Sequence, residues 1–152
     1  MSTIRETTLK SYLQDLIQTP RIHNYLEQFL DLNGYEFQAD LKVINKTFKS
    51  TVAGYSKGDS FFYIAKWILA DATEAKCVVR HELAHLIHSY SDLQGMAHGK
   101  EFLSSLRLVS PLRWRRDRHW HSTPKIEEAR GEVHKIQKRF FTSRGVHTNL
   151  YR

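Results

Sequence analysis

The stretch that decides the fold is residues 73–90, which read T-E-A-K-C-V-V-R-H-E-L-A-H-L-I-H-S-Y. Its apolar residues recur three and four positions apart, the spacing that places side chains on one face of an α-helix. They are Val78, Val79, Leu83, Leu86 and Ile87. Thr73 can cap the start of this helix, and Gly95 lies beyond its end. The pattern predicts a helix over 73–90 that packs its apolar face on the protein core.

Two histidines on this predicted helix, His81 and His85, lie four positions apart. Positions i and i+4 are separated by about 40° around a helix axis and about 6 Å along it, so both imidazoles can bind one Zn²⁺ ion. Glu82 completes the order H-E-x-x-H, in which the carboxylate faces the open coordination position and can accept a proton from water there. Two surface histidines on an ordinary helix would produce the same sequence pattern. Their placement on a predicted helix nevertheless favours a zinc site that binds one ion per chain.

Two histidines and a water leave the predicted zinc ion one ligand short. His88 lies on the same face of the helix as His81 but a further turn away, and is interpreted as a neighbour of the site. His98 is better placed, because Gly95 allows the chain to leave the helix and turn back. Glu101 is the second choice, since some zinc enzymes use a glutamate as the third ligand.

The other periodic segments predict an α+β fold. Apolar stripes at 9–17 and 22–30 indicate two N-terminal helices, and a further stripe at 100–108 indicates a helix after the histidines. Between them, residues 41–69 shift towards a period of two, which predicts a small antiparallel sheet of about three short strands. A last helix is predicted at about 125–140.

The positive charge of the chain lies in its last third. Residues 1–106 contain 11 Lys and Arg against 12 Asp and Glu, whereas residues 107–152 contain 12 against 4. The net charges of the two parts are therefore −1 and +8. Such asymmetry is typical of a protein that binds a polyanion, most often nucleic acid, and a solvated basic tail is the alternative.

Cations and indoles alternate at the start of this basic third, where the chain has Arg113, Trp114, Arg115, Arg116 and Arg118. Guanidinium groups neutralise phosphates, and an indole face can stack on an exposed base. These five residues are therefore predicted to contact nucleic acid, with single-stranded DNA preferred. The alternative is that Trp114 and Trp120 fill the core beneath the fold while the arginines are solvated.

The composition narrows the cellular setting. A single cysteine, Cys77, excludes an internal disulfide and any four-cysteine zinc module within one chain. The most apolar stretch, residues 61–70, is too short to span a membrane and contains Lys66. The first residues have no basic region followed by an apolar one, so no secretion signal is evident. These features predict a cytoplasmic or nucleoid-associated protein, neither secreted nor bound to a membrane.

The order of the motifs resembles the core of the SprT-like metalloprotease family, in which H-E-x-x-H is followed, after a turn, by H-G-x-x-aromatic. Here H-E-L-A-H stands at 81–85 and H-G-K-E-F at 98–102. The resemblance covers about residues 53–108 and implies a minimal zincin-like domain whose active-site helix carries H-E-x-x-H. By this resemblance the site consists of the zinc ligands His81, His85 and His98 and the catalytic base Glu82.

The chain also departs from that family. Many members continue into a zinc ribbon built from cysteines, which a chain with only Cys77 cannot form. The basic third stands in its place. We expect residues 1–110 to form the metalloprotease core and residues 111–152 to form a basic, partly helical extension packed on or next to it. Family members that digest DNA–protein crosslinks need contact with DNA, and here the basic third would have to supply it.

The leading interpretation is a zinc-dependent endopeptidase that acts on proteins bound or crosslinked to DNA. One alternative is a nucleic-acid-binding protein with a structural zinc ion, and another is a zinc protease with a dedicated protein target and no role on DNA. Glu82 argues against a structural site, because a closed zinc site has no use for a carboxylate beside an open position. Tyr90, His119 and His121 are equal candidates for stabilising the oxyanion.

Overall fold

The computed structural model describes residues 2–29, 37–44, 53–56, 61–90 and 99–119. Within these residues five α-helices and three β-strands form an α+β fold, which confirms the predicted class. The helices are α1 (Glu6–Gln18), α2 (Pro20–Phe29), α3 (Ala72–Tyr90), α4 (Lys100–Val109) and α5 (Trp114–Asp117). The strands are β1 (Asp40–Ile44), β2 (Ala53–Ser56) and β3 (Phe61–Ala65), and a 3-10 helix follows at Lys66–Ala70. The N-terminal helices and the helices predicted over 73–90 and 100–108 are confirmed.

The three described strands form one mixed sheet in the order β1–β3–β2. β2 and β3 are antiparallel, with Ala53 opposite Ile64, whereas β1 and β3 are parallel, with Leu41 opposite Phe62. The expectation of an antiparallel sheet is therefore wrong for the β1–β3 pair. β1 ends at Ile44 and β3 begins at Phe61, so the sequence between them is long enough for the connection that a parallel pair requires. The alternation of apolar residues carries no information on strand direction, because both directions have a period of two.

Helix α3 runs through the middle of the fold. Its N-cap is Asp71, whose Oδ1 accepts hydrogen bonds from the backbone amides of Thr73 and Glu74 at 3.1 and 3.2 Å. Thr73, the predicted cap, lies inside the helix. Every residue over 77–87 is buried, because α1, α4, α5 and the sheet surround the helix. α3 is therefore a core helix, and its polar side chains need partners within the protein.

The hydrophobic core lies between α3, the sheet and the flanking helices. Its fully buried members include Leu9, Leu13, Leu41, Phe62, Ile64, Leu83, Leu86 and Phe102. The N-terminal segment is tied to the same unit, because the Ile4 amide donates to the Leu69 carbonyl at 3.0 Å and the Ala72 amide donates to the Ser2 carbonyl at 2.8 Å. These bonds fasten the chain at the point where α3 begins.

The described part of the basic extension joins the core at α5, which packs on α3 and α4. The helix predicted at about 125–140 lies outside the described residues, so the division into 1–110 and 111–152 stays a prediction. Among the described helices, none combines the length and the hydropathy that crossing a membrane requires.

Candidate metal centre

Helix α3 brings the imidazoles of His81 and His85 together inside the core. Their Nε2 atoms are 3.2 Å apart, and the two residues are 1% and 8% exposed. Two nitrogen ligands at about 2.0–2.1 Å from a tetrahedral zinc ion lie about 3.3 Å from each other. The pair therefore has nearly the spacing of two ligands of one zinc ion.

The other ring nitrogen of His81 is held by the backbone of α5. Its Nδ1 lies 2.9 Å from the carbonyl oxygen of Asp117. Because a carbonyl can only accept, Nδ1 carries the proton, and in the neutral ring the lone pair lies on Nε2, the atom that faces His85. Metal-binding histidines are commonly oriented in this way, with the second nitrogen donating to a carbonyl or carboxylate. The two imidazoles are therefore arranged as a pair of metal-binding histidines would be.

Phe102, the aromatic residue of H-G-K-E-F, packs on both imidazoles. Its ring is stacked on that of His85, with centroids 4.2 Å apart and planes inclined by 25°. Its centroid lies 5.0 Å from that of His81. Phe102 belongs to α4 and is fully buried, so it restricts both rings and keeps water from one side of the pair.

Glu82 follows His81 in α3 and is 4% exposed. Burial raises the pKa of its carboxyl to about 8, and no charge or hydrogen bond from the described residues contributes to that shift. A cation nearby would favour the carboxylate and lower the pKa again. The protonation state of Glu82 thus depends on whether a cation lies nearby, a property that suits a proton acceptor.

The third ligand stays a prediction, because His98 lies outside the described residues. Its neighbour Gly99 is described and is the N-cap of α4. Glu101, the second choice, is half-buried in the first turn of that helix. Within the described ranges, no three His, Cys, Asp or Glu side chains form a group that could hold a metal ion, so neither Glu101 nor His88 completes the pair.

A buried ion pair between Arg80 and Asp117 lies next to His81. The fully buried carboxylate of Asp117 accepts hydrogen bonds from Nε and Nη2 of Arg80 at 2.5 and 3.0 Å. It also accepts from Oγ of Ser110 at 2.5 Å and from Sγ of Cys77 at 3.0 Å. Burial opposes ionisation of Asp117, but these hydrogen bonds outweigh it and hold the pKa of the carboxyl below its usual range. Asp117 is therefore ionised in the folded chain.

Sequence reasoning missed Asp117 and Arg80 as residues of the site. Asp117 is the sole acidic residue over 102–126, inside a run rich in arginine. That isolation is the one signal that could have singled it out, because an acidic residue in a basic surface segment has no evident role there. Arg80 gives no such signal, since arginine is mostly found at exposed positions.

The predicted nucleic-acid contacts fall into two groups. Arg113, Arg115 and Arg118 are exposed. Arg116 instead forms an ion pair with the buried carboxylate of Glu74, with 2.7 Å between its Nη2 and Oε1 of Glu74. Three of the four arginines thus present their charge to solvent, and the fourth links α5 to the first turn of α3.

Trp114 is half-buried at the edge of the hydrophobic core. The guanidinium carbons of Arg107 and Arg115 lie over its ring, 4.2 and 5.2 Å from the centroid. The indole is therefore already engaged in cation–π contacts. Trp120 lies outside the described residues, so its predicted place in the core is untested.

The three candidates for stabilising an oxyanion differ in their surroundings. Tyr90 is half-buried, and its ring meets that of Phe37 edge-on, with centroids 5.8 Å apart. His119 is exposed, and His121 lies outside the described residues. None of these surroundings assigns the role.

Comparisons with known proteins add little to the geometry. No protein-family model matches the chain, and no curated protein matches its sequence. The crystal structure of a metallopeptidase zymogen, abylysin of Pyrococcus abyssi, is similar with a TM-score of 0.43 and 14% sequence identity, over 94% of this chain and 98% of that one. A similarity of this size carries no argument about family or activity, so the functional assignment depends on the site itself.

Proposed function

We propose that the chain is a zinc-dependent endopeptidase in which His81, His85 and His98 hold the metal and Glu82 is the general base. The observation that carries the proposal is the 3.2 Å separation of the Nε2 atoms of His81 and His85 inside the core. Histidines on an ordinary helix surface would be solvated and free to turn. Here both rings are buried and held in place, because their Nε2 atoms lie within hydrogen-bond distance of each other and Nδ1 of His81 bonds to the carbonyl of Asp117.

The proposed mechanism assigns a separate task to each residue. A zinc ion bound here would lower the pKa of a coordinated water and polarise the scissile carbonyl. Glu82 would accept a proton from the attacking water and pass it to the leaving amine. The buried position of Glu82, directly after His81 in α3, supports this role. Phe102 would restrict the two imidazoles throughout.

We further propose that the substrates are proteins bound or crosslinked to DNA. The support is the exposed charge of Arg113, Arg115 and Arg118, at the start of a segment with a net charge of +8 over 107–152. Such charges are suited to phosphate contacts. The same short stretch contains Asp117, whose carbonyl contacts His81, so DNA held by these arginines would lie close to the zinc site.

One experiment separates this function from the two alternatives. The purified chain is analysed for zinc and then given casein or histones, with and without single-stranded DNA, beside a Glu82→Gln control. The proposal expects one zinc per chain, cleavage that depends on Glu82, and faster cleavage with DNA. Zinc and DNA binding without any cleavage would favour a structural zinc site. Cleavage that ignores DNA would favour a protease with a dedicated protein target.

A further inference from the structure

We propose that Asp117 is a positioning residue for the metal ligand His81: its carbonyl orients the imidazole, and its carboxylate, bound by Arg80, holds that carbonyl in place. The inference rests on the proposed function in taking His81 as a zinc ligand. It adds a residue from the arginine-rich segment, which the sequence assigns to nucleic acid, to the metal centre.

The contact between Asp117 and His81 fixes the tautomer of the imidazole. The carbonyl of Asp117 accepts from Nδ1 of His81 at 2.9 Å and so leaves the lone pair on Nε2. A histidine whose proton sat on Nε2 could not bind a metal through that atom without losing it first. The contact therefore selects the tautomer that is ready to bind.

The helix that contains this carbonyl, α5, cannot hold its own position. α5 has four residues, Trp114–Asp117, too few for a helix to be stable by itself. Tertiary contacts must fix it, and Asp117 is its buried residue. The bonds that Arg80 and Ser110 make to the carboxylate therefore also fix the backbone carbonyl of the same residue.

The ion pair between Arg80 and Asp117 is better suited to orienting Asp117 than to stabilising the fold. Arg80 and Asp117 are 4% and 0% exposed, and a pair so deeply buried contributes little net stability because both charges lose their hydration. Arg80 is itself oriented, since its Nη1 donates to the hydroxyl of Tyr12 at 2.9 Å. A guanidinium held in one orientation in this way adds little stability, but it can fix the position of the carboxylate that it binds.

The test compares Asp117→Asn with the wild-type full chain, first without metal. NMR nitrogen–proton correlation spectra of the imidazoles report which ring nitrogen carries the proton. At a pH where histidine is neutral, wild-type His81 should be protonated at Nδ1, whereas Asp117→Asn should show a mixture of both tautomers. Competition with a chelator should then show that Zn²⁺ binds Asp117→Asn about 10- to 100-fold more weakly, the range for changes that disturb the orientation of a ligand.

Arg116→Gln is the matched control. It removes the ion pair between the exposed Arg116 of α5 and the buried Glu74 of α3, the same two helices, and leaves Asp117 and His81 untouched. We expect Arg116→Gln to keep the wild-type tautomer and nearly the wild-type Zn²⁺ affinity, because the bonds to the Asp117 carboxylate and the contact with His81 remain, even if stability falls through the loss of the cation beside the buried Glu74.

Ser110→Ala keeps the proposal testable if Asp117→Asn does not fold, because it removes one hydrogen bond to the carboxylate and no charge. It should shift the tautomer and weaken Zn²⁺ binding in the same direction by a smaller factor. A folded variant with the wild-type tautomer and wild-type Zn²⁺ affinity would overturn the proposal, even if its melting temperature fell. If the wild type itself bound no Zn²⁺, the proposed function would fail, and the tautomer comparison alone would decide the positioning role.

Discussion

Phe102 lies stacked on His85, with the ring centroids 4.2 Å apart and the planes inclined by 25°. The contact joins α4 to α3 at the proposed metal ligands, and Phe102 also touches the ring of His81. It gives a physical role to the aromatic residue of H-G-K-E-F, one that the motif alone does not reveal. The ring forms one wall of the site and limits the orientations open to both imidazoles.

Replacement of Phe102 by alanine should therefore affect stability and metal binding together. Loss of a fully buried phenylalanine leaves a cavity and should cost about 3–5 kcal/mol of the free energy of unfolding. Zn²⁺ affinity should also fall, because His85 would gain rotational freedom. Urea denaturation of the metal-free chain and chelator competition measure the two effects, and Phe102→Leu should retain most of both. Unchanged Zn²⁺ affinity in a folded Phe102→Ala chain would show that the ring has a packing role alone.

The ligand assignment predicts which histidines are needed for zinc. His85→Ala and His98→Ala should each lose a ligand and weaken Zn²⁺ binding by more than about 100-fold, the upper end for changes that only reorient a ligand. His88→Ala should keep stoichiometric zinc, because His88 lies a further turn along α3. Zinc per chain after dialysis measures all three variants. Metal loss from His88→Ala with retention in His98→Ala would move the third ligand onto α3.

Glu82→Gln tests the mechanism apart from the metal. The amide has nearly the shape of the carboxylic acid but cannot accept a proton from water, so proteolysis should fall by about 100- to 10,000-fold. Zinc content and fold should be kept, because Glu82 is not a proposed ligand. Cleavage of casein, normalised to zinc content, gives the comparison. Wild-type activity in this variant would exclude Glu82 as the base.

The sequence predicts those parts of the site that depend on local spacing. His81 and His85 occupy positions i and i+4 of a helix, which places their side chains one turn apart on the same face. The 3.2 Å separation of their Nε2 atoms agrees with that spacing. The contact between His81 and Asp117 could not be predicted in this way, because it joins a side chain to a backbone carbonyl of another helix. Asp117 is fully buried, although its neighbours in the sequence are mostly arginines, which are usually exposed.

The sequence predicts the fold with similar limits. The period of the apolar residues correctly indicated α3, but it did not reveal that α3 is buried on every side over 77–87. The pairing of β1 with β3 was hidden because a period of two is the same for parallel and antiparallel strands. The N-cap of α3 is Asp71 and not Thr73, because the carboxylate of Asp71 accepts hydrogen bonds from two backbone amides at once.

The exposed arginines give a prediction for DNA binding. Changing Arg113, Arg115 and Arg118 to glutamate should abolish tight binding of single-stranded DNA and lower the slope of log K against log salt by about 2, since each phosphate contact adds about 0.7. Arg116 is left intact because a glutamate there would face Glu74. Zinc content and cleavage of unfolded casein without DNA should persist.

A charge-matched control makes that result specific. Arg5, Lys42 and Lys66 are also exposed, and their change to glutamate alters the net charge by the same amount at other places on the surface. The control should keep most of the DNA affinity. Equal losses in the two triple variants would show a general effect of net charge, and unchanged affinity in the Arg113, Arg115 and Arg118 variant would remove DNA from the proposed function.

The surroundings of Trp114 oppose base stacking, the simplest way for an indole to bind DNA. The ring is half-buried on the core and Arg107 lies 4.2 Å from its centroid, so a base would have to displace contacts that already exist. Trp114→Ala should therefore cost about 1–3 kcal/mol of unfolding free energy and weaken single- and double-stranded DNA alike, by releasing Arg107 and Arg115. Trp114→Phe should restore most of both. Denaturation curves and fluorescence anisotropy with the two DNA forms provide the measurements, and a loss confined to single-stranded DNA at unchanged stability would instead establish base stacking.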